Sequence, residues 1–404
     1  MNVLYSFPHR LGGPRIGTTA WHQVTGAEKC GTHVSIHCGS IDSKVTRTDR
    51  MRQTLACGKC RVPMRFVRRD IACDWHDRVT AKWLEANHSQ IDVVHGWPLA
   101  SIRTFRMAHR HGIPCMIERP NAHTAFAYQA VAEENQRVGI QLSRRHDHSF
   151  NRKYLNHEEL EYNEADFLLC PSEFVAETFA ERGYPPHKLV RHQYGFDPSR
   201  FRPGQQNPTE DRGLIMLYAG VVEPRKGLHF ALQAWFKSGA QVRGKFLICG
   251  SWVEGYRERL GSFIEHPSIE ILGHRNDLHL LMPIADLFVL SSIEEGSALV
   301  TYEARGAGCV LLVSSASGAP CEDGINGLMH PPRDAALLAS QIAKLDADRA
   351  FLRKLRETSI STLHAITWEA AGVKLAEVYG GAVEGFARPV GQACANPEAN
   401  YSML

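Results

Sequence analysis

Short apolar runs, each followed by a longer helical stretch, recur along both halves of this 404-residue chain. The first half has Val-Leu-Tyr-Ser-Phe at 3–7, His-Val-Ser-Ile-His at 33–37, a run ending at 91–95 and another opening at 113–117. The second restarts at 214–219 and continues at 246–250, 269–273, 287–292 and 310–313. Alternation of this kind predicts an α/β fold class, with parallel sheets covered by helices on both faces. In such sheets ligands bind outside the carboxyl ends of the strands.

A chain this long exceeds one hydrophobic core, so two domains are expected. The stretch 203–213 is polar, rich in Pro and Gly, and lacks apolar periodicity, which marks it as the linker. The expected domains are then 1–202 and 214–385, with 386–404 as a loose tail. No apolar run reaches the ~18 residues of a membrane span. The opening Met1-Asn-Val-Leu-Tyr-Ser-Phe7 reads as a strand rather than a signal peptide. Of the eleven cysteines, Cys170, Cys249 and Cys309 sit in apolar runs and read as buried free thiols of a reducing cytosol.

Charge is uneven. Residues 1–200 carry 27 Lys and Arg against 21 Asp and Glu, whereas residues 201–404 carry 19 against 22. Segment 44–69 holds nine basic residues (Lys44, Arg47, Arg50, Arg52, Lys59, Arg61, Arg65, Arg68, Arg69) and one acid, Asp49. An anionic membrane surface or a phosphorylated acceptor would be drawn to such a patch; a solvated face is the alternative. Aromatic residues barely interleave with these charges, which argues against nucleic acid. The expected location is cytoplasmic, with peripheral contact at the inner membrane face through 44–69.

The richest local pattern is Glu295-Gly-Ser-Ala-Leu-Val-Thr-Tyr-Glu303, between the apolar runs 287–292 and 310–313. Its parse is strand, loop, short helix, strand. The first Glu falls at a strand's carboxyl end and the second inside the helix. The helix N-terminus between them offers free N–H groups to a phosphate. Carboxylates on both sides suit a ligand with hydroxyls at both ends, as in a nucleotide sugar.

That segment resembles the E-x7-E element of retaining GT-B glycosyltransferases of family 4 type. Further matches occur in the family's order: Leu11-Gly-Gly-Pro-Arg-Ile-Gly17, Ala165-Asp-Phe-Leu-Leu-Cys-Pro-Ser-Glu173, Tyr194-Gly-Phe-Asp-Pro-Ser-Arg-Phe201, Ala219-Gly-Val-Val-Glu-Pro-Arg-Lys-Gly227, Gly318-Ala-Pro-Cys-Glu-Asp-Gly-Ile-Asn-Gly327 and Trp368. The resemblance implies two Rossmann-like domains facing across a cleft, with the last helix crossing back to the first domain. It implies transfer, with retention, of a hexose-type sugar from a UDP- or GDP-sugar to a glycan or lipid-linked acceptor, without cofactor or metal. Glu303 would take the ribose hydroxyls. Glu295 would face the transferred sugar, with Gly296, Ser297, Ala298, Leu299 and Val300 lining the donor. Arg225 and Lys226 would neutralise the leaving diphosphate, near Gly220. Gly12 and Gly13 would let the backbone approach the donor, and His123 would contact the sugar near the reacting centre. The family usually has Arg where this chain has Val221, so either Arg225 takes over the phosphate contact or the leaving group is stabilised more weakly. Two alternatives stand beside this reading: a non-catalytic nucleotide-sugar-binding subunit, and a nucleotide-sugar epimerase or hydrolase.

Other candidates read as structural. These are His95, Glu173 and Asp166, and the letter-only Asp346-Ala-Asp348 motif, read as a helix cap. Cys57-Gly-Lys-Cys60 lacks a second ligand pair, although Cys73 and His76 could complete it. Arg144-Arg-His-Asp-His148 could bind metal or phosphate, but reads first as a charged helix face.

Overall fold

The computed structural model describes residues 1–46, 48–57, 60–62, 67–143, 146–204 and 212–386. Most of the expected linker (205–211), nearly all of the expected tail (387–404), Arg47, Lys59, Arg65 and the Arg144–Arg145 pair lie outside these residues. So do the side chains of Cys57, Cys60 and Arg61, so the Cys57/Cys60 metal candidate also falls outside them.

Among the described residues nine strands precede the linker. They are β1 (Asn2–Leu11), β2 (His33–Ile41), β3 (Met51–Gln53), β4 (Ala56–Cys57), β5 (Cys60–Arg61), β6 (Val93–Gly96), β7 (Cys115–Glu118), β8 (Phe167–Cys170) and β9 (Leu189–Arg191). Seven form one parallel sheet in the order β3-β2-β1-β6-β7-β8-β9, and β4 and β5 pair as a small antiparallel ribbon. After the linker come β10 (Ile215–Ala219), β11 (Lys245–Cys249), β12 (Ile269–Gly273), β13 (Leu287–Leu290), β14 (Val310–Ser314) and β15 (Gly327–His330). They make a second parallel sheet in the order β12-β11-β10-β13-β14-β15. The central strands are buried along their length, Leu287–Leu290 and Val310–Ser314 throughout, as strands covered by helices on both faces must be.

In both sheets the strand order reverses beside the first strand. β1 lies between β2 and β6, and β10 between β11 and β13. The loops leaving these neighbours diverge to opposite faces, which opens a crevice at their carboxyl ends.

The helix Trp368–Gly385 crosses from the second domain to the first. Its Leu375, Tyr379 and Ala382 belong to the same apolar cluster as Val3, Tyr5 and Phe7 of β1. Trp368 stacks on His22, ring centroids 4.5 Å apart. His95 of β6 meets the Tyr379 hydroxyl at 2.7 Å through Nδ1 and lies 3.4 Å from Glu118 through Nε2. Glu118 is fully buried. Burial alone would raise its carboxyl, but His192 and His95 outweigh that and hold it well below the usual range. His95 is thus a structural residue.

The first helix begins at Ile16, and Arg225 and Lys226 sit in a short 3-10 turn, Pro224–Lys226, before the helix Leu228–Lys237. Asp348 caps the helix Arg349–Ser361. No helix among the described residues is long and apolar enough to cross a membrane.

Candidate active site

The loops after β10 and β13 are neighbours because their strands pair, and the chain fastens them together. The Ile293 N–H donates to the Arg225 carbonyl at 2.9 Å. Gly227 (φ +68°) ends the Arg225–Lys226 turn, where a Cβ would fall 1.9 Å from the Ser291 carbonyl oxygen. Only glycine lets the turn lie this close to the end of β13.

This places the two cations on Glu295. Arg225 Nη1 donates to its Oε1 at 2.5 Å, and Lys226 donates to Oε2. Arg225 also reaches Glu223 (3.0 Å through Nε) and Glu294 (3.3 Å through Nη1). Three buried carboxylates therefore share two cations. Burial pushes the Glu295 carboxyl up, but Arg225 and then Lys226 overcome this and hold it below its ordinary value. Burial also lowers the Lys226 ammonium, opposed by Glu295. For Glu294 the His148 hydrogen bond and Arg225 offset burial and bring it to about 2.

A cavity of about 650 Å³ opens over this cluster, between the domains. Gly220, Val221, Arg225, Lys226, Glu295, Gly296, Ser297, Ala298, Leu299 and Val300 form its second-domain wall. Arg15, Ile16, Pro120, Asn121, Asp147 and His148 lie on the opposite wall. The Ala298 N–H is already used by the Ser317 carbonyl (3.2 Å), so that amide does not serve a ligand in this state. Glu303 lies about one turn beyond Val300 in the helix Leu299–Gly306 and is not part of the cavity wall. Burial raises its carboxyl to about 7, with Arg200 opposing.

A carboxyl raised in the fold keeps its proton while the unfolded chain has already lost one, so stability falls as pH rises from about 4.3 to 7. Glu303→Gln removes that penalty. Its melting temperature should exceed wild type at pH 8, and the gap should close by pH 4; an equal gap at both pH values would refute the assignment.

A second cavity, of about 400 Å³, adjoins the first on the β1–β6–β7 side. The two share Arg15, Ile16, Pro120, Asn121, Asp147 and His148. The second is lined by Trp97, Tyr128 and Tyr154 together with Arg69, Arg119 and Glu158.

The structure places His123, Gly12 and Gly13 away from the cavities, and it corrects the reading of 144–148. His123 lines neither cavity. Its Nδ1 caps the helix Thr124–Val138, accepting from the Ala125 N–H at 3.1 Å, and its ring packs on Tyr162 and Phe179. Burial, then Arg119, hold its imidazole at about 3, a neutral structural group. Gly12 and Gly13 face Val45 and the Arg10 backbone; the next residues, Pro14, Arg15 and Ile16, meet the cavities instead. The segment read as a charged helix face is a turn at 146–148, and His146 and His148 face the second domain's carboxylates at 3.3 and 3.4 Å.

Glu294, His146 and His148, to which the sequence assigns no role in the donor site, join the cluster at the cavity. The signal present was the Glu-Glu doublet at 294–295 and the His-Asp-His triplet, each ambiguous until the domains meet. His76 binds Ser6 and Thr54 (3.0 and 2.7 Å), so its nitrogens are occupied structurally. Among the described residues the one grouping spaced to hold a metal is His109, Cys115 and Asp166, outside both cavities.

Solved structures share this architecture. A sucrose-phosphate synthase from Thermosynechococcus elongatus superposes with a TM-score of 0.65 over 95% of this chain and 99% of that one, at 17% identity. HepE of Anabaena in complex with UDP gives 0.64 over 94% and 100%, at 15% identity. The fold is GT-B. Within this GT-B chain, residues 213–348 match the family of glycosyl transferases group 1. Curated relatives include a D-inositol 3-phosphate glycosyltransferase of Streptomyces bingchenggensis, 28% identical over 50% of this chain and 52% of its own length. Another is a lipopolysaccharide 1,2-N-acetylglucosaminetransferase of Salmonella typhimurium, 26% identical over 54% of this chain and 63% of its own length. The GT-B chain thus spans about half to two-thirds of the length of these two relatives.

Proposed function

We propose that this chain is a retaining glycosyltransferase of family 4 type. It moves a hexose-type sugar from a UDP- or GDP-sugar to a hydroxyl of a glycan or lipid-linked acceptor in polysaccharide or glycoconjugate biosynthesis. The observation that carries the reading is the Arg225–Lys226–Glu295 cluster at the floor of an interdomain cavity, with a helix N-terminus beside it. The group 1 match over 213–348 and the relatives' activities support it.

In this reading the two cations leave Glu295 for the donor diphosphate and stabilise the charge that builds as the C1–oxygen bond breaks. Glu295, released, turns to the hydroxyls of the sugar, and Glu303 takes the ribose. The acceptor enters through the adjoining cavity of Trp97, Tyr128 and Tyr154. Its hydroxyl oxygen bonds to C1 on the face the phosphate leaves, and the hydroxyl proton passes to the departing phosphate oxygen. The domains meeting over the cavity keep water from the activated sugar. We assign no resident cofactor or metal: the leaving charge falls to Arg225 and Lys226.

A cytoplasmic location with peripheral membrane contact completes the proposal. Its support is the basic excess near 44–69, though Arg68 and Arg69 of that segment pair with Asp70 and Asp147 at 2.9 and 3.4 Å. One feature favours the non-catalytic alternative: Val221 leaves the cavity wall without a cation at that position.

Thermal shift against UDP, GDP, ADP and their common sugars tests the reading. Ligand at 100 times its dissociation constant should add about 2.7 kcal/mol. One nucleotide should stabilise wild type, and Glu303→Ala should lose that response. No response to any nucleotide would sink the donor site. A response without donor turnover in the presence of crude glycan acceptor would leave the binding-subunit alternative.

A further inference from the structure

The turn at 146–148 belongs to the first domain, yet its three residues line the cavity over the second domain's carboxylates. His146 Nε2 lies 3.3 Å from Glu223, and His148 Nε2 lies 3.4 Å from Glu294. The tautomers follow from the other nitrogens. The His148 backbone N–H donates to Nδ1 of His146 at 3.2 Å, which leaves that ring's proton on Nε2, facing Glu223. Nδ1 of His148 is buried with no acceptor to donate to, so its ring also places the proton on Nε2, facing Glu294. Both imidazoles thus face carboxylates across the domain boundary. Alongside them the Ala122 N–H donates to Glu294 Oε1 at 3.3 Å.

Their partners matter. Glu223 and Glu294 are the carboxylates that, with Glu295, hold Arg225. A ligand diphosphate that draws Arg225 toward itself takes a donor away from both. Buried carboxylates cannot be left without donors cheaply, so the load shifts to the imidazoles. Arg225 is therefore an element that the phosphate site and the interdomain contact share, which is what coupling requires.

We infer that His146 and His148 are positioning residues for the donor site, supplied by the opposite domain, and that diphosphate binding tightens their hold on Glu223 and Glu294. This rests on the donor-site reading above.

Amide hydrogen exchange on the full chain tests it, with UDP and GDP as probes. In wild type the binding nucleotide should slow exchange at 120–122 and 146–150 by roughly tenfold. His148→Ala should lose this protection in the first domain while keeping the nucleotide's stabilisation of the second. His148→Gln, whose amide N–H reaches the place of Nε2–H, should restore it, and His148→Asn, too short to reach, should not. Once a donor is found, kcat should fall about 10- to 100-fold in His148→Ala with a smaller change in donor KM. Equal protection in wild type and His148→Ala would overturn the inference and leave the transferase reading intact. If neither nucleotide stabilises wild type, that reading fails first. The clasp is then judged in the free protein, where exchange at 120–122 no faster in His148→Ala than in His148→Gln overturns it.

Discussion

Lys226→Ala is expected to lower the turnover number by roughly 100- to 1,000-fold, the range seen when one preorganised donor to a developing oxyanion is removed. The loss should fall on kcat more than on donor KM, because the charge that Lys226 meets grows as the bond to the diphosphate breaks. The fold should tolerate the change. Lys226 contacts Glu295, and Arg225 still holds that carboxylate through Nη1 at 2.5 Å. Arg225→Ala is the contrast. It strips a cation from Glu223, Glu294 and Glu295 together, and breaking buried ion pairs of this kind costs about 3–5 kcal/mol. Steady-state kinetics beside a melting curve separate the two. Wild-type kcat in Lys226→Ala would remove the cation from the mechanism.

Gly296→Ala is expected to abolish transfer by a different route. The Gly296 position touches the other domain so closely that an added Cβ would lie 1.7 Å from the Pro120 carbonyl oxygen and 2.9 Å from the Asn121 Cα. Both obstacles are backbone, and the Ser172 hydroxyl pins the Gly296 carbonyl at 2.6 Å. The simplest relief is to hold the domains apart. Each sheet should still fold and nucleotide should still bind, but kcat should fall 100-fold or more, the scale of a 1 Å misplacement at a reacting centre. Small-angle scattering should report a wider particle. A variant that transfers at the wild-type rate and scatters like wild type would show that the closed contact is dispensable.

Most of the fold was legible because its signals are local. Short apolar runs with helical spacers declare a parallel sheet whatever their partners. The Glu295–Glu303 spacing declares a loop and a helix N-terminus in one stretch of chain. The site was legible where both partners lie on loops of adjacent strands, as Lys226 and Glu295 do. It was illegible where the partner comes from the other domain. His123 is ambiguous in sequence because an N-cap and a ligand contact both want a polar residue at a helix start; its ring packs on Tyr162 and Phe179. His148 was missed because nothing in 144–148 indicates that Glu294 waits across the boundary. Gly12 and Gly13 mark a tight turn correctly but not which side of the turn the cavity lies on.

The crossing helix Trp368–Gly385 has a consequence for biosynthesis. The first domain leaves the ribosome early, but one wall of its core is made of Leu375, Tyr379 and Ala382, and the Nδ1 partner of His95 is the Tyr379 hydroxyl. Domains usually fold as they emerge, in order. Here the half that is synthesised first is finished last. Until residue 382 has emerged, the helix Ile16–Lys29 and β1 present an apolar face to solvent and His95 of β6 lacks its Tyr379 partner. Nascent chains stalled anywhere before residue 385 should therefore bind chaperones through their amino-terminal half, and the second domain, which has its own core, should be the first part to resist protease.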